Sequence, residues 1–150
     1  MKNIWLNIAL IISTLFIFTA CANEGKTVTE TGLIEKDKYG IPWAKDLPTA
    51  FVLAQKEHKN LLIMAISEGC GWCKKMKERT LSNTEVATRL EKYILVQADR
   101  ETPSEREQLP SFKHVPIIFF MTPKKELIDN MRGYYLANDF LEYLDEIEDI

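Results

Sequence analysis

The chain has 150 residues, 46% of them apolar and 27% charged, an ordinary globular make-up that fits one domain with an appendage and excludes collagen, a long coiled coil and wholesale disorder. A net charge of −3 argues against the broad electrostatic grip that nucleic acid demands, so no nucleic-acid partner is expected. Three cysteines are too few for a disulfide scaffold or an all-cysteine zinc site.

Lys2 opens the chain with a positive charge, and Ile8 through Phe18 form an apolar run broken only by Ser13 and Thr14. The run is short for a bilayer span, which needs about 20 apolar residues, and suits the hydrophobic segment of a secretory signal. It ends in Phe18-Thr19-Ala20-Cys21. That ending resembles a bacterial lipoprotein signal, with phenylalanine where leucine is commoner. The resemblance implies a lipidated Cys21 that holds the protein to an envelope membrane on its extracytoplasmic face. An ordinary signal peptide cut near Ala20 or Ala22 is the other reading. Residues 1–20 are expected to be the signal, residues 21–41 a lipidated tether and residues 42–150 the folded domain. Removing residues 1–20 takes away Lys2 alone, leaving 18 basic and 22 acidic residues, a net of −4. The tether is rich in Asn, Glu, Gly, Lys and Thr, and a coil of that length spans on the order of 25 Å. Leu33 and Ile34 could instead begin an edge strand.

Leu47, Phe51 and Ala54 recur at helical spacing and predict a helix over residues 47–58, with Pro48 tolerated in its first turn. Residues 61–66 are continuously apolar, as in a strand buried on both faces. A helix follows over residues 74–79. Ser82 and Glu85 fit a capping box for the next, whose stripe is Val86, Leu90 and Tyr93. Residues 93–96 read as a second buried strand, and Ser104 with Glu107 as a cap opening a short helix that stops near Pro110. Residues 115–120 form a third strand with Pro116 near its start. A turn at residues 122–125 leads to an edge strand over 127–132 and Gly133. Asn138 is expected to cap a last helix with the stripe Leu141, Leu144 and Ile147. Residues 67–92 suffice for a parallel crossover between the first two strands, while the last two, joined by a turn, should be antiparallel. The result is an α/β sandwich around a mixed central sheet.

The chemistry sits at Cys70-Gly71-Trp72-Cys73. Spacing of i, i+3 at a helix start puts both sulfurs on one face, within reach of a disulfide. Unpaired N–H groups and the positive end of the helix dipole favour thiolate at Cys70. Such placement lowers a cysteine pKa to about 3.5–7.5, with Lys74 and Lys75 adding to the field. Cys73, one turn in, suits the resolving thiol. Three other readings bear on the pair. A structural disulfide would be inert. Zinc would need two more ligands, with only His58 and His114 available, so no metal is expected. A covalent haem needs His after the second Cys, where Lys74 stands.

Over residues 43–150 the sequence resembles the thioredoxin-like superfamily, and in particular exported bacterial thioredoxin-related proteins with the motif Cys-x-x-Cys-Lys-Lys-Met. The matching pieces are residues 67–76, Val115-Pro116 before an apolar strand, and Gly133 before the last helix. The resemblance implies a three-layer thioredoxin-like sandwich and a membrane-anchored thiol–disulfide oxidoreductase, active in the reducing direction. Cys70 and Cys73 would be catalytic, and no cofactor is implied beyond their own redox-active disulfide. It further implies a cis peptide before Pro116 and a Val115 backbone that pairs with substrate. Trp72 would offer substrate an apolar platform, or else cover the helix start. Expected partners are protein disulfides, a transmembrane thiol-transfer reductant and, through lipid, the membrane; a monomer is expected. The sequence departs from many thioredoxins at Met64, where they carry a buried aspartate. A redox-inert assembly or binding lipoprotein with a locked disulfide is the alternative. Tyr134 and Tyr135 read as packing or surface aromatics, and Glu68 as a solvated loop charge.

Overall fold

The computed structural model describes residues 32–149. Six strands form one mixed sheet: β1 (Ile34–Lys36), β2 (Pro42–Ala44), β3 (Asn60–Ile66), β4 (Tyr93–Asp99), β5 (Ile117–Met121) and β6 (Leu127–Arg132), in the order β1-β2-β4-β3-β5-β6. The parallel pairing of β3 with β4 and the antiparallel pairing of β5 with β6 follow the sequence expectation. The five α-helices are α1 (Leu47–Glu57), α2 (Gly71–Lys75), α3 (Thr84–Leu90), α4 (Pro103–Arg106) and α5 (Ala137–Glu148). A π-helical turn, Met76–Leu81, continues α2. None of the described helices is long and apolar enough to cross a membrane.

Leu61 to Ala65 are all fully buried, because β3 lies between β4 and β5 and is covered on both faces. Alternation along the strand sorts its side chains between two cores. Leu62 and Met64 join Cys73, Met76, Val86 and Phe140 on one face, beneath α2, α3 and α5. Leu61, Ile63 and Ala65 join Leu47, Phe51 and Phe119 on the other, beneath α1. This is the expected three-layer sandwich.

Local chemistry sets the element ends, and there the structure corrects several expectations. Asp46 caps α1, its carboxylate accepting the Thr49 N–H at 2.8 Å. Asn83, rather than Ser82, caps α3, accepting from the N–H groups of Glu85 and Val86 at 3.0 and 3.3 Å. Ser82 ends the π-helical turn, and its hydroxyl donates back to the Glu78 carbonyl at 2.7 Å, so it is not available to the next helix. α5 starts at Ala137 with Leu136 at the cap position, leaving Asn138 inside the first turn. α4 starts at Pro103, one residue ahead of the expected Ser104 cap. β5 begins at Ile117, two residues later than expected, since Pro116 has no N–H to give the ladder. β1 and β2 form an antiparallel hairpin joined to β4. Ile34 therefore belongs to an edge strand: of the segment read as tether, Ile34–Lys36 are built into the sheet and residues 37–41 form the turn to β2.

Candidate redox site

β3 and β4 run parallel, with Ile66 opposite Asp99 at their C-terminal ends. β5 runs against β3 with Ile117 opposite Ala65. That register brings residues 67–70 and the Val115–Pro116 bond to the same end of the sheet. Gly69 turns the chain with φ +70°, a conformation that glycine adopts without steric cost. The Cys70 N–H donates to the Ser67 carbonyl, and α2 begins at Gly71.

Cys70 and Cys73 are joined as a disulfide, Cα to Cα 5.2 Å. Cys70 occupies the cap position of α2, and its Sγ accepts the Cys73 N–H at 3.1 Å. The two sulfurs differ in access: Cys73 is 4% exposed and packs into the core, whereas Cys70 is only half-buried at its edge. Met64 belongs to the same core cluster as Cys73 and is fully buried, so an apolar thioether occupies the position where the resemblance would place a carboxylate.

The Val115–Pro116 peptide is cis. Pro116 is buried, and its carbonyl accepts the Gly133 N–H at 2.9 Å, tying the start of β5 to the end of β6. Val115 is half-buried and takes part in none of the ladder pairings of β5.

Trp72 is 56% exposed beside the disulfide. Its ring meets Tyr134, centroids 5.6 Å apart, and Lys75 Nζ lies 4.3 Å from its ring centre. Tyr134 thus packs, as one of the two expected roles had it, and does so against Trp72 beside the disulfide. Thr80, the fully buried polar residue of the described core, sits in the π-helical turn and donates its hydroxyl to the Tyr135 carbonyl. This bond fastens the segment carrying Tyr134 against the helix carrying the cysteines. Sequence reasoning missed Thr80, and it read Tyr134 as a packing or surface aromatic without its place beside Trp72. The one available signal was a threonine inside an otherwise apolar helical stripe.

Two grooves lie at this end of the sheet. One, of about 350 Å³, includes Cys70, Cys73, Lys38, Lys74 and Lys77 in its lining; Lys77 Nζ donates to Gln97 Oε1 at 3.2 Å. The other, of about 400 Å³, runs past Val115 and Pro116 and is edged by Lys113, His114 and Arg132. Glu68 is exposed in the loop before Cys70. His58 lies in the left-handed C-cap of α1. No group of three or more metal-ligating side chains occurs among the described residues. Cys21 lies outside the described residues.

A helix-capping disulfide at the same sheet end as a cis-proline, on a mixed sheet covered on both faces, defines the class: a thioredoxin-fold protein with a Cys-x-x-Cys pair. The thioredoxin-like family model matches residues 42–123, and the chain belongs to that family. It is 28% identical over 102 residues to the thiol:disulfide interchange protein DsbD of Photorhabdus laumondii, a match covering 64% of this chain and 18% of that protein. The chain thus spans under a fifth of the length of that curated relative. Among solved structures, a thioredoxin from Thermus thermophilus is 25% identical with a TM-score of 0.58, covering 68% of this chain and 83% of the other. The oxidised C-terminal domain of DsbD from Neisseria meningitidis superposes with a TM-score of 0.55 at 23% identity, covering 66% and 90%.

Proposed function

We propose that this protein is a thiol–disulfide oxidoreductase of the bacterial cell envelope, anchored through a lipidated Cys21 on the extracytoplasmic face and reducing protein disulfides. The observation that carries the reading is the asymmetry of the pair: Cys70 half-buried at the cap of α2 with a backbone N–H aimed at its sulfur, Cys73 buried behind it. Exchange requires access to the attacking sulfur and a stabilised thiolate, and both favour Cys70.

In the reduced protein the Cys70 thiolate attacks one sulfur of a substrate disulfide. The substrate S–S bond breaks, and the released substrate thiolate takes a proton from solvent. Cys73 then gives up its proton and attacks Cys70 Sγ, which breaks the mixed disulfide and frees the second substrate thiol. Two electrons and two protons have passed to the substrate, and the protein is left with the Cys70–Cys73 disulfide. With Met64 beneath Cys73, the proton leaves toward solvent or the departing substrate thiolate and not to a buried carboxylate. A dithiol donor closes the cycle by the reverse steps. Similarity to a thiol:disulfide interchange protein supports another thiol–disulfide exchange protein as that donor, which we place in the membrane. Val115 offers backbone groups outside the sheet ladder to an extended substrate strand, Pro116 shapes the groove floor, and Trp72 supplies an apolar platform extended by Tyr134. No further cofactor is needed, and the protein works as a monomer.

Insulin reduction driven by dithiothreitol tests the activity: the wild type accelerates it and Cys70→Ser abolishes the acceleration. Cys73→Ser should trap substrates as mixed disulfides on Cys70, and equal trapping by Cys70→Ser would overturn the assigned roles. Radiolabelled palmitate entering the wild type but not Cys21→Ala tests the anchor; a labelled mutant refutes it.

A further inference from the structure

The chain is acidic overall, yet the grooves at the disulfide end of the sheet are lined by positive charge. The groove lined by the cysteines contains Lys38, Lys74 and Lys77, the groove along Val115 and Pro116 at the same end of the sheet contains Lys113 and Arg132, and neither lining includes an aspartate or glutamate. Lys75 stands beside them over Trp72. The contacts these cations make leave their charge uncompensated. Lys38 lies over the Tyr39 ring, Lys77 bonds an amide oxygen of Gln97, and Arg132 bonds the amide oxygen of Asn130 at 3.1 Å. None of the six is paired with a carboxylate among the described ion pairs. Elsewhere cations are neutralised: Arg89 pairs with Asp145 and Glu148, and Lys92 with Glu148. Six acids lie between residues 137 and 149, with no lysine or arginine in that stretch. Among the described acids on this side, Glu68 is exposed in the loop before Cys70, Asp99 ends β4 opposite Ile66, and Asp37 is turned to the Tyr39 and Ile41 N–H groups and the Trp43 indole; none of them lines either groove.

Field lines from like charges along concave walls are focused into the grooves, which raises the local concentration of an oppositely charged partner and its on-rate. One groove is lined by both cysteines; the other lies at the same end of the sheet and runs past Val115, whose backbone lies outside the sheet ladder. An extended peptide crossing from one groove to the other would present its disulfide to Cys70 with its flanking side chains among these cations. From this geometry we infer that the protein docks an acidic polypeptide, one whose reactive cysteine is flanked by aspartates and glutamates. This inference names the substrate class of the oxidoreductase proposed above and rests on that reading.

The test uses two peptide disulfides that differ only in their flanking residues, acidic in one and neutral in the other, with dithiothreitol as the electron source. At low salt kcat/KM should favour the acidic peptide by at least about tenfold, and the preference should collapse at about 0.5 M salt. A Lys74→Glu, Lys113→Glu, Arg132→Glu triple variant should bring the ratio to one or below. Lys124→Glu, the same change in the turn after β5, should leave it intact. Equal, salt-independent turnover of both peptides by the wild type would overturn the docking while leaving the activity standing. Binding of the same peptides with serine in place of cysteine, read by fluorescence anisotropy, separates the two claims. Selective binding of the acidic peptide without reduction of either disulfide would overturn the activity and keep the docking. Sedimentation with vesicles of anionic phospholipid, lost in the triple variant and joined to equal binding of the two peptides, would assign the cations to a membrane and overturn the proposal.

Discussion

Where β3 and β4 begin, Arg89 and Lys92 converge on Glu148 at 2.9 and 2.6 Å, and Arg89 also holds Asp145 at 2.7 Å. Where the same two strands end, the lysines beside Cys70 meet aromatic rings and amide oxygens. The first arrangement neutralises charge to fasten α3 against α5; the second leaves charge free to act on something outside the molecule. The same residue types thus serve stability at one end of the sheet and recognition at the other. What separates the roles is the partner that the fold sets beside each cation.

The largest expected effect comes from breaking the redox end. Cys70→Ser should remove catalysed insulin reduction altogether while the protein still folds, as circular dichroism would report; retained turnover would put the chemistry elsewhere. Next is the bond that holds the aromatic pair beside it. Thr80→Val keeps the shape but strands the Tyr135 carbonyl, and should cost about 1–3 kcal/mol in urea unfolding, with Thr80→Ser restoring most of it. Asp46→Ala, which uncaps α1, should cost about 1 kcal/mol without altering the redox potential. The smallest effect belongs to the ion-pair end, where Glu148→Gln should cost about 0.5–1 kcal/mol and less in high salt.

Acid sharpens the contrast. The hydrogen bonds from Thr49 hold the Asp46 carboxyl below its usual range. Burial pushes Glu148 the other way, but Lys92 and Arg89 outweigh it and the net shift is also downward. A carboxyl whose folded pKa is depressed stabilises the fold at and above its ordinary range and loses that contribution as pH falls through the folded value. Unfolding free energy should therefore be level near neutrality and drop below about pH 4. The drop should be shallower in Glu148→Gln, and identical slopes for variant and wild type would remove Glu148 from the account.

Much of this was readable from the chain because local pattern carried it. The apolar runs at residues 61–66 and 93–96 became β3 and β4, and Cys70 took the helix-capping position its spacing implied. The hairpin of β1 and β2 was not settled, since three-residue strands have no period of their own and owe their pairing to the register of Trp43 against Leu95. Asn83 beat Ser82 as a cap because the π-helical turn, invisible in side-chain periodicity, claimed the serine hydroxyl. Thr80 escaped notice, and Tyr134 was read only as a packing or surface aromatic, because their partners, Tyr135 and Trp72, meet them only once the last loop folds onto α2. The basic grooves are likewise assembled from separate segments, so a net charge of −3 conceals them.

The central claim is that the Cys70–Cys73 disulfide is a working bond and not a structural clamp. Redox titration of the pair against glutathione or dithiothreitol buffers, followed by thiol alkylation and mass, measures this directly. An exchange-active pair should equilibrate at about −120 to −270 mV, and a potential below about −300 mV would mark a locked disulfide and contradict the account.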